Sequence, residues 1–462
     1  MLTSVIGAVG LLGEGLTRFT QRWVPDSWVV CMGLTVVTLL LAMGGAHATL
    51  NESVLAWGNG MWSLLELAMQ FTIAMIAANA CVSSRPVFRA LNRLASIPNP
   101  NRPLQAIVLM GAFSMFTGYL NWALSLVASA LFVPFVARHN PKVDIRVMIA
   151  AAYLGIGTVW HGGLSGSAPL ILATPGNPLV APATGAPVID RLIPVTESLF
   201  IPFNLTYLAV IAIVALVTVV ALHPRGTPVT LSDEQIDRIM PVLPEPTEVK
   251  TPAAGMEAFR GWPLFAAVLI GYPLGHSIMT RGFGESWTIN AYNAVFLIAA
   301  LLLQQRPSNL VRAFSHGARS ASGIILQFPF YAGIFGVINS TALGEWLGSV
   351  FVRIATTDTY PLVVYFYSGF MNIFVPSAGS KWLIEAPYLL PAAAELGVSA
   401  TTTVLAYAYG DSTTNLIQPF WAIPILTVTG LRFGTILGYT GIVAVVCMVT
   451  SIVAMWLIPP ML

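Results

Sequence analysis

A helix needs about 20 apolar residues to cross the roughly 30 Å of hydrocarbon in a bilayer, and this chain offers such a stretch again and again. Runs near residues 26–43, 61–81, 148–172, 199–222, 261–279, 288–303, 320–340, 401–428 and 434–458 all qualify. In lipid only helices and closed barrels satisfy their own backbone groups, so these runs dictate an all-α polytopic membrane protein. The composition agrees, with 56% hydrophobic and 9% charged residues against about 25% charged in soluble domains. A formal net charge of +2 supplies no field for nucleic acid, which is excluded as a partner. Cys31, Cys81 and Cys447 lie far apart in apolar runs, so neither disulfides nor a thiolate metal centre is expected.

Two further stretches, 103–137 and 362–396, are as apolar but are interrupted by Asn121 and by the run from Phe374 to Lys381. Each reads as two half-length helices joined at a polar tip, a re-entrant hairpin. Prolines from Pro224 to Pro252 among scattered charges mark 223–260 as a linker. The expected organisation is an interfacial N-terminal segment (1–25) without a cleaved signal, a first membrane repeat (26–222), a cytoplasmic linker (223–260), a connecting transmembrane helix (261–287) and a second repeat (288–462). Short cytoplasmic loops carry the excess of Lys and Arg. A cytoplasmic N-terminus puts most of the basic residues inside, leaving Arg191, Arg281 and Arg353 outside and Lys381 at a hairpin tip. The C-terminus is then external.

The halves repeat. Ala56, Gly60, Ser63, Gln70 and Phe71 match Ala313, Gly317, Ser320, Gln327 and Phe328 at one offset of 257. Gly118-Tyr-Leu-Asn121 then falls on Gly369-Phe-Met-Asn372, and Pro169 on Pro419. Five crossings separate the first span of each half, an odd number, so the repeats are inverted. Inverted repeats with paired broken helices point to a secondary transporter with its site near the midplane.

Four polar breaks hold the candidate site. Asn121 at the first tip either meets a ligand or caps the turn. The segment His161-Gly-Gly163-Leu-Ser165-Gly-Ser167, running on to Asn177, has the Gly and Pro content of an unwound helix over a cavity. Its carbonyls and hydroxyls either bind Na+ or a carboxylate, or serve close packing. His161 reads as a structural residue more readily than as a proton relay. The third break, Asn372 to Glu385, contains Ser377, Ser380 and Lys381. A cation in the membrane needs a partner, and Lys381 has two candidates: a substrate carboxylate, or Glu385 four residues on. The fourth, Tyr407 to Pro419, packs Asp411, Ser412, Thr413, Asn415 and Gln418 into an apolar span. Asn121, Ser165, Ser167, Asn372, Ser377, Ser380, Lys381, Asn415 and Gln418 form the candidate substrate set. Asp411, Ser412, Thr413, Gly163 and Asn177 form the candidate ion-coupling set. Glu66 is the weakest candidate. No nucleophile with its base, His-rich metal site or phosphate loop is evident, which argues against an enzyme.

At these breaks the chain resembles the bacterial short-chain fatty acid transporter family of the ion transporter superfamily. The likeness runs from Trp23-Val-Pro-Asp26 through Gly163-x-Ser-Gly-Ser-x-Pro-Leu, Ala173-Thr-Pro-Gly-Asn-Pro178, Gln327-Phe-Pro-Phe-Tyr-Ala-Gly333 and Val375-Pro-Ser-x-Gly379 to Gln418-Pro-Phe-Trp421. It departs at Lys381, where the family pattern is neutral or His, and at Glu385, where it is neutral. The resemblance implies a homodimer in the bacterial inner membrane, two opposed hairpins, elevator-type alternating access, and carriage of small monocarboxylates such as butyrate or acetoacetate. Coupling to H+ or Na+ is expected, with no cofactor other than possible Na+. A carrier for dicarboxylates or other carboxylates and an anion channel are the alternatives.

Overall fold

The computed structural model describes residues 22, 25, 27–182, 185–224, 226–241 and 249–462, and the regular secondary structure among them is helical. The interfacial segment expected over 1–25, and the motif from Trp23 to Asp26, fall outside the described residues apart from Arg22 and Pro25. Seven of the described helices are long and apolar enough to cross a membrane, and the shorter apolar helices Trp28–Gly44 and Ile289–Gln304 join them.

The order of elements repeats as expected. Ser27–Gly44 corresponds to Ile289–Gln304, and Leu65–Val82 to the long helix Pro307–Ser340. The hairpin of Pro103–Leu120 and Trp122–His139 corresponds to that of Tyr360–Phe374 and Ala378–Glu395. A broken span follows in each half, Ile145–Ala152, Leu154–Thr158 and Ser167–Ala173 in the first, Ala400–Asn415 and Pro419–Thr429 in the second. Pro202–Ala221 and Phe433–Leu457 close the two halves.

Packing between the halves is reciprocal. Ile289–Gln304 lies against Leu65–Val82, while Ser27–Gly44 lies against Pro307–Ser340. Likewise Ser167–Ala173 meets Ala378–Glu395, and Pro419–Thr429 meets Trp122–His139. Swapped contacts of this kind follow from a two-fold relation between the repeats. Phe71 and Phe328, paired by the sequence repeat, touch each other with ring centroids 5.9 Å apart. Burial of apolar area drives little association between helices in lipid, so close backbone contact must hold them. Gly60 and Gly336 provide it, since a Cβ on Gly60 would come within 2.6 Å of the Gly336 Cα. Apolar side chains such as Val445, Val449 and Val453 line an outward face of the last helix, which suits a lipid solvent.

The hairpins enter from opposite ends. At one end Lys142 Nζ donates to Asn101 Oδ1 at 2.7 Å and Asn140 Nδ2 to Ala95 O at 3.3 Å, joining both feet of the first hairpin. At the other, Thr357 Oγ1 donates to Leu396 O at 2.8 Å, joining the feet of the second, and Ser399 N donates to Pro460 O at 2.8 Å, bringing in the C-terminal tail. Pro202–Ala221, 20 residues long, spans between these ends over about 30 Å, a bilayer's hydrocarbon thickness.

Several elements go beyond the sequence reading. Leu50–Gly60, Arg85–Ala95 and Leu343–Ile354 are additional short helices, and the span expected at 320–340 begins at Pro307. The linker carries helices Asp233–Ile239 and Pro252–Ala258 and is docked, because Val229 N donates to Asp144 Oδ2 at 2.9 Å and Ile236 is buried. Burial alone would raise Asp144, but hydrogen bonds from the Arg146 side chain and from Val229 N outweigh it and hold this carboxyl below its usual range.

Candidate functional site

Each hairpin delivers its tip to a broken span. Asn121 ends one helix and begins the next within a single residue; its extended backbone (φ −161°, ψ 121°) turns the chain, and its Oδ1 accepts from Leu124 N at 3.0 Å. That is helix capping, yet Asn121 Nδ2 remains buried without a partner. The tip docks where residues between Thr158 and Ser167 leave the helix. Leu164 N donates to Tyr119 O at 2.8 Å, and Trp122 N to Ser165 Oγ at 3.0 Å. Gly118 and Gly155 let these backbones touch, as Gly369 and Gly410 do in the second half, where a Cβ on Gly410 would fall 2.0 Å from Tyr365 O.

This second crossing sets the charges. Ser368, Lys381 and Asp411 lie on three different helices and meet in the interior. Lys381 Nζ, 1% exposed, stands 2.9 Å from Asp411 Oδ1, 2.7 Å from Ser368 O and 3.0 Å from Ser368 Oγ. The two Ser368 oxygens accept hydrogen bonds from it, and Asp411 is its counter-ion. The Tyr407 ring covers the ammonium at 4.7 Å. On the other side of the carboxylate, His161 Nδ1 is 3.1 Å from Asp411 Oδ2. Ala168 N donates to His161 Nε2 at 3.2 Å, which assigns the imidazole proton to Nδ1 and makes His161 a neutral donor to Asp411. Trp160 stacks on the imidazole at 4.4 Å. The cluster thus joins both repeats around one ion pair.

In this conformation the counter-ion of Lys381 is Asp411, and Glu385, one of its two candidate partners, is not within ion-pair distance. Asn372 lies half a turn before its tip, donating from Nδ2 to Asp411 O at 3.0 Å and Asn415 Oδ1 at 2.7 Å. Asn415 Nδ2 in turn donates to Ile156 O in the first broken span, at 3.1 Å. Ser377 and Ser380 hydroxyls pair at 2.8 Å near the second tip. Ser167 opens a helix beside Gly379 of that tip, where an added Cβ would lie 3.6 Å from Ser167 Cβ. Gly163 packs on Tyr119. Ser412 Oγ is buried without a partner, and Thr413 Oγ1 donates to Tyr409 O at 2.8 Å. Asn177 is engaged in its own turn, through Thr174 O and Leu179 N. Gln418 Oε1 accepts from Phe420 N at 2.7 Å, capping the next helix. The polar residues 407–415 stay helical and the second break narrows to 416–418, because Pro419 supplies no N–H and Thr413 and Thr414 bond back within their helix.

The sequence model of the family described as short chain fatty acid transporter matches residues 8–458. The chain belongs to that family. A relative in Escherichia coli (strain K12), provisionally named a short-chain fatty acid transporter, is 36% identical over 93% of this chain and 96% of its own length. Another in Haemophilus influenzae (strain ATCC 51907 / DSM 11121 / KW20 / Rd), named the same way, is 34% identical over 92% and 94%. The fold is similar to that of the Alcanivorax borkumensis YdaH transporter, with a TM-score of 0.61 at 14% identity over 94% of this chain and 98% of the other. It is also similar to Neisseria gonorrhoeae MtrF, with a TM-score of 0.54 at 15% identity over 96% of each. A family of membrane transporters, not of enzymes, is what its members' names describe.

Beside the candidate residues stand others to which the sequence reading gave no role in the site. Ser368 and Tyr407 surround the ammonium, and the stack of Trp160 on His161 orients the imidazole. His161 had a visible signal, a titratable residue at a helix break. Ser368 had none, being one serine in an apolar helix.

Proposed function

We propose that the protein carries one small monocarboxylate per cycle with a proton, through the Lys381–Asp411 pair. The observation that supports this is that Lys381 is the one fully buried Lys or Arg among the described residues. One desolvated cation suits one carboxylate; a dicarboxylate would leave a second charge unpaired in the interior. In the empty carrier Asp411 occupies the ammonium. A substrate anion takes its place as Asp411 accepts a proton, which forms the carboxyl O–H bond and frees Lys381, so that the site is neutral both empty and loaded.

Asn121 Nδ2, buried and unpartnered, is the free donor of the first tip and in this reading serves the second oxygen of the carboxylate. Ser165, Ser167, Ser377, Ser380, Asn372, Asn415 and Gln418 shape the walls and hold the tips. With both Asp411 oxygens facing donors, the arrangement suits a proton better than Na+ ligation by Asp411, Ser412, Thr413, Gly163 and Asn177. As the resemblance implies, the working unit is a homodimer in the bacterial inner membrane. Its hairpins and broken spans move as an elevator, with the linker cytoplasmic and the C-terminus external.

The test is uptake of labelled butyrate, acetoacetate and succinate into proteoliposomes under separately imposed pH and Na+ gradients. The pH gradient should drive accumulation of the first two and not of succinate. Accumulation of succinate, or a strict need for Na+, would overturn this reading.

A further inference from the structure

Among the described residues, Glu385 is the fully buried carboxyl without a use in this scheme. It is 0% exposed, and neither of its oxygens has a hydrogen-bond partner. Four residues earlier on the same helix stands Lys381, and side chains at that spacing are neighbours about 5–6 Å apart at their Cβ atoms. The other groups facing Glu385 are Tyr388 of its own helix, Tyr367 of the adjoining hairpin arm, and Tyr407 and Asp411 of the second broken span. Tyr367 and Tyr388 hydroxyls bond each other at 2.7 Å. The next hairpin-flanking helix contributes Glu345 and Arg353, both exposed, and Ser167–Ala173 carries no titratable residue. An ionised carboxylate with no donor in such a place is untenable. The arrangement has one cation beside two carboxyls, of which one pairs with it and the other has no hydrogen-bond partner.

We infer that Asp411 and Glu385 form a two-carboxyl proton site around Lys381: they share one proton in the empty carrier and hold two when a carboxylate is bound. This deepens the proposed proton coupling at Asp411 and rests on it. If Asp411 takes up a proton with no substrate present, Glu385 releases its own and receives the ammonium, so no net proton is gained and the site stays neutral. When a substrate carboxylate pairs with Lys381, both carboxyls are protonated, and one net proton has entered with the anion. Glu385 in this way keeps proton uptake tied to substrate.

The test reads the carbonyl stretch of a protonated carboxylic acid by difference infrared spectroscopy on the purified, substrate-free protein at neutral pH, with its shift in D2O as the signature. The wild type should show the band, and Glu385→Gln should lack it. Asp411→Asn should also lack it, because Glu385 ionises to serve Lys381, and Lys381→Met with Asp411→Asn should restore it. A band that survives Glu385→Gln, or one that persists in Asp411→Asn, would overturn the inference. So would failure of both Asp411→Asn and Asp411→Ser to fold unless Lys381→Met is added, since Glu385 would then be unable to act as counter-ion. These readouts need no substrate, so they stand apart from the uptake experiment: loss of butyrate transport with the spectra as expected would refute the substrate reading alone.

Discussion

The two hairpins share a plan and differ in chemistry. The first turns on one neutral residue, Asn121, and offers an amide and backbone groups to an unwound segment. The second turns more loosely at Val375–Ser377 and carries Lys381 and Glu385 on its returning arm, facing Asp411. The broken spans differ in the same sense: the first contributes a neutral His161 and the second a carboxylate. The repeat therefore supplies a two-fold frame, while every buried Lys, Asp and Glu of the central cluster comes from the second half. Symmetry serves the alternation between two sides, and asymmetry makes one ion pair that both sides can reach.

Breaking the charged half should cost most. Lys381→Met strands Asp411 as an unpaired buried anion, and we expect a loss of about 3–5 kcal/mol of stability, read by thermal unfolding in detergent. Adding Asp411→Asn should restore folding, whereas adding Glu385→Gln to Lys381→Met should not. Rescue by Glu385→Gln alone would assign the partner wrongly here. The crossings that exist in both halves should be equally sensitive. Gly155→Ala and Gly410→Ala each place a Cβ about 2 Å from a neighbouring carbonyl and should each cost about 1–3 kcal/mol. A change that matters in one half only would break the structural equivalence.

The two hairpin asparagines sharpen the comparison further. Asn372→Ala leaves Asn415 Oδ1 without its donor and should cost about 1–3 kcal/mol. Asn121→Ala removes a cap worth about 1 kcal/mol and should weaken carboxylate binding more than it weakens the fold. The smallest effect is at the rim. Asp144 is held below its usual range, so it stabilises the docked linker above its unfolded value and loses that contribution as pH falls below about 4. The loss should be about 0.5–1 kcal/mol, because Arg146 keeps 27% of its exposure and is screened. Hydrogen exchange at the Val229 amide would report it.

Much of this architecture was legible in the residues. Asn121 marks the first turn because a polar residue amid apolar ones must find its bonds at a helix end, and the match of Gln70 and Phe71 to Gln327 and Phe328 marks the repeat. The short helices Leu50–Gly60 and Leu343–Ile354 were not, since neither is long enough to stand out as a span. The counter-ion of Lys381 in the empty protein was not legible. Spacing along one helix brings up Glu385, whereas the ion pair forms between Ala378–Glu395 and Ala400–Asn415, beside the close passage of Tyr360–Phe374 over the latter at Gly369 and Gly410. That passage belongs to tertiary packing and leaves in the sequence only two glycines among many.

The central claim is that one buried ion pair couples one carboxylate to one proton. Uptake of labelled butyrate under an imposed pH gradient, compared between the wild type and the folded Lys381→Met/Asp411→Asn protein, tests it directly. The account predicts accumulation by the wild type with or without Na+, and none by the double variant despite native stability. Accumulation by the double variant at the wild-type level would contradict it.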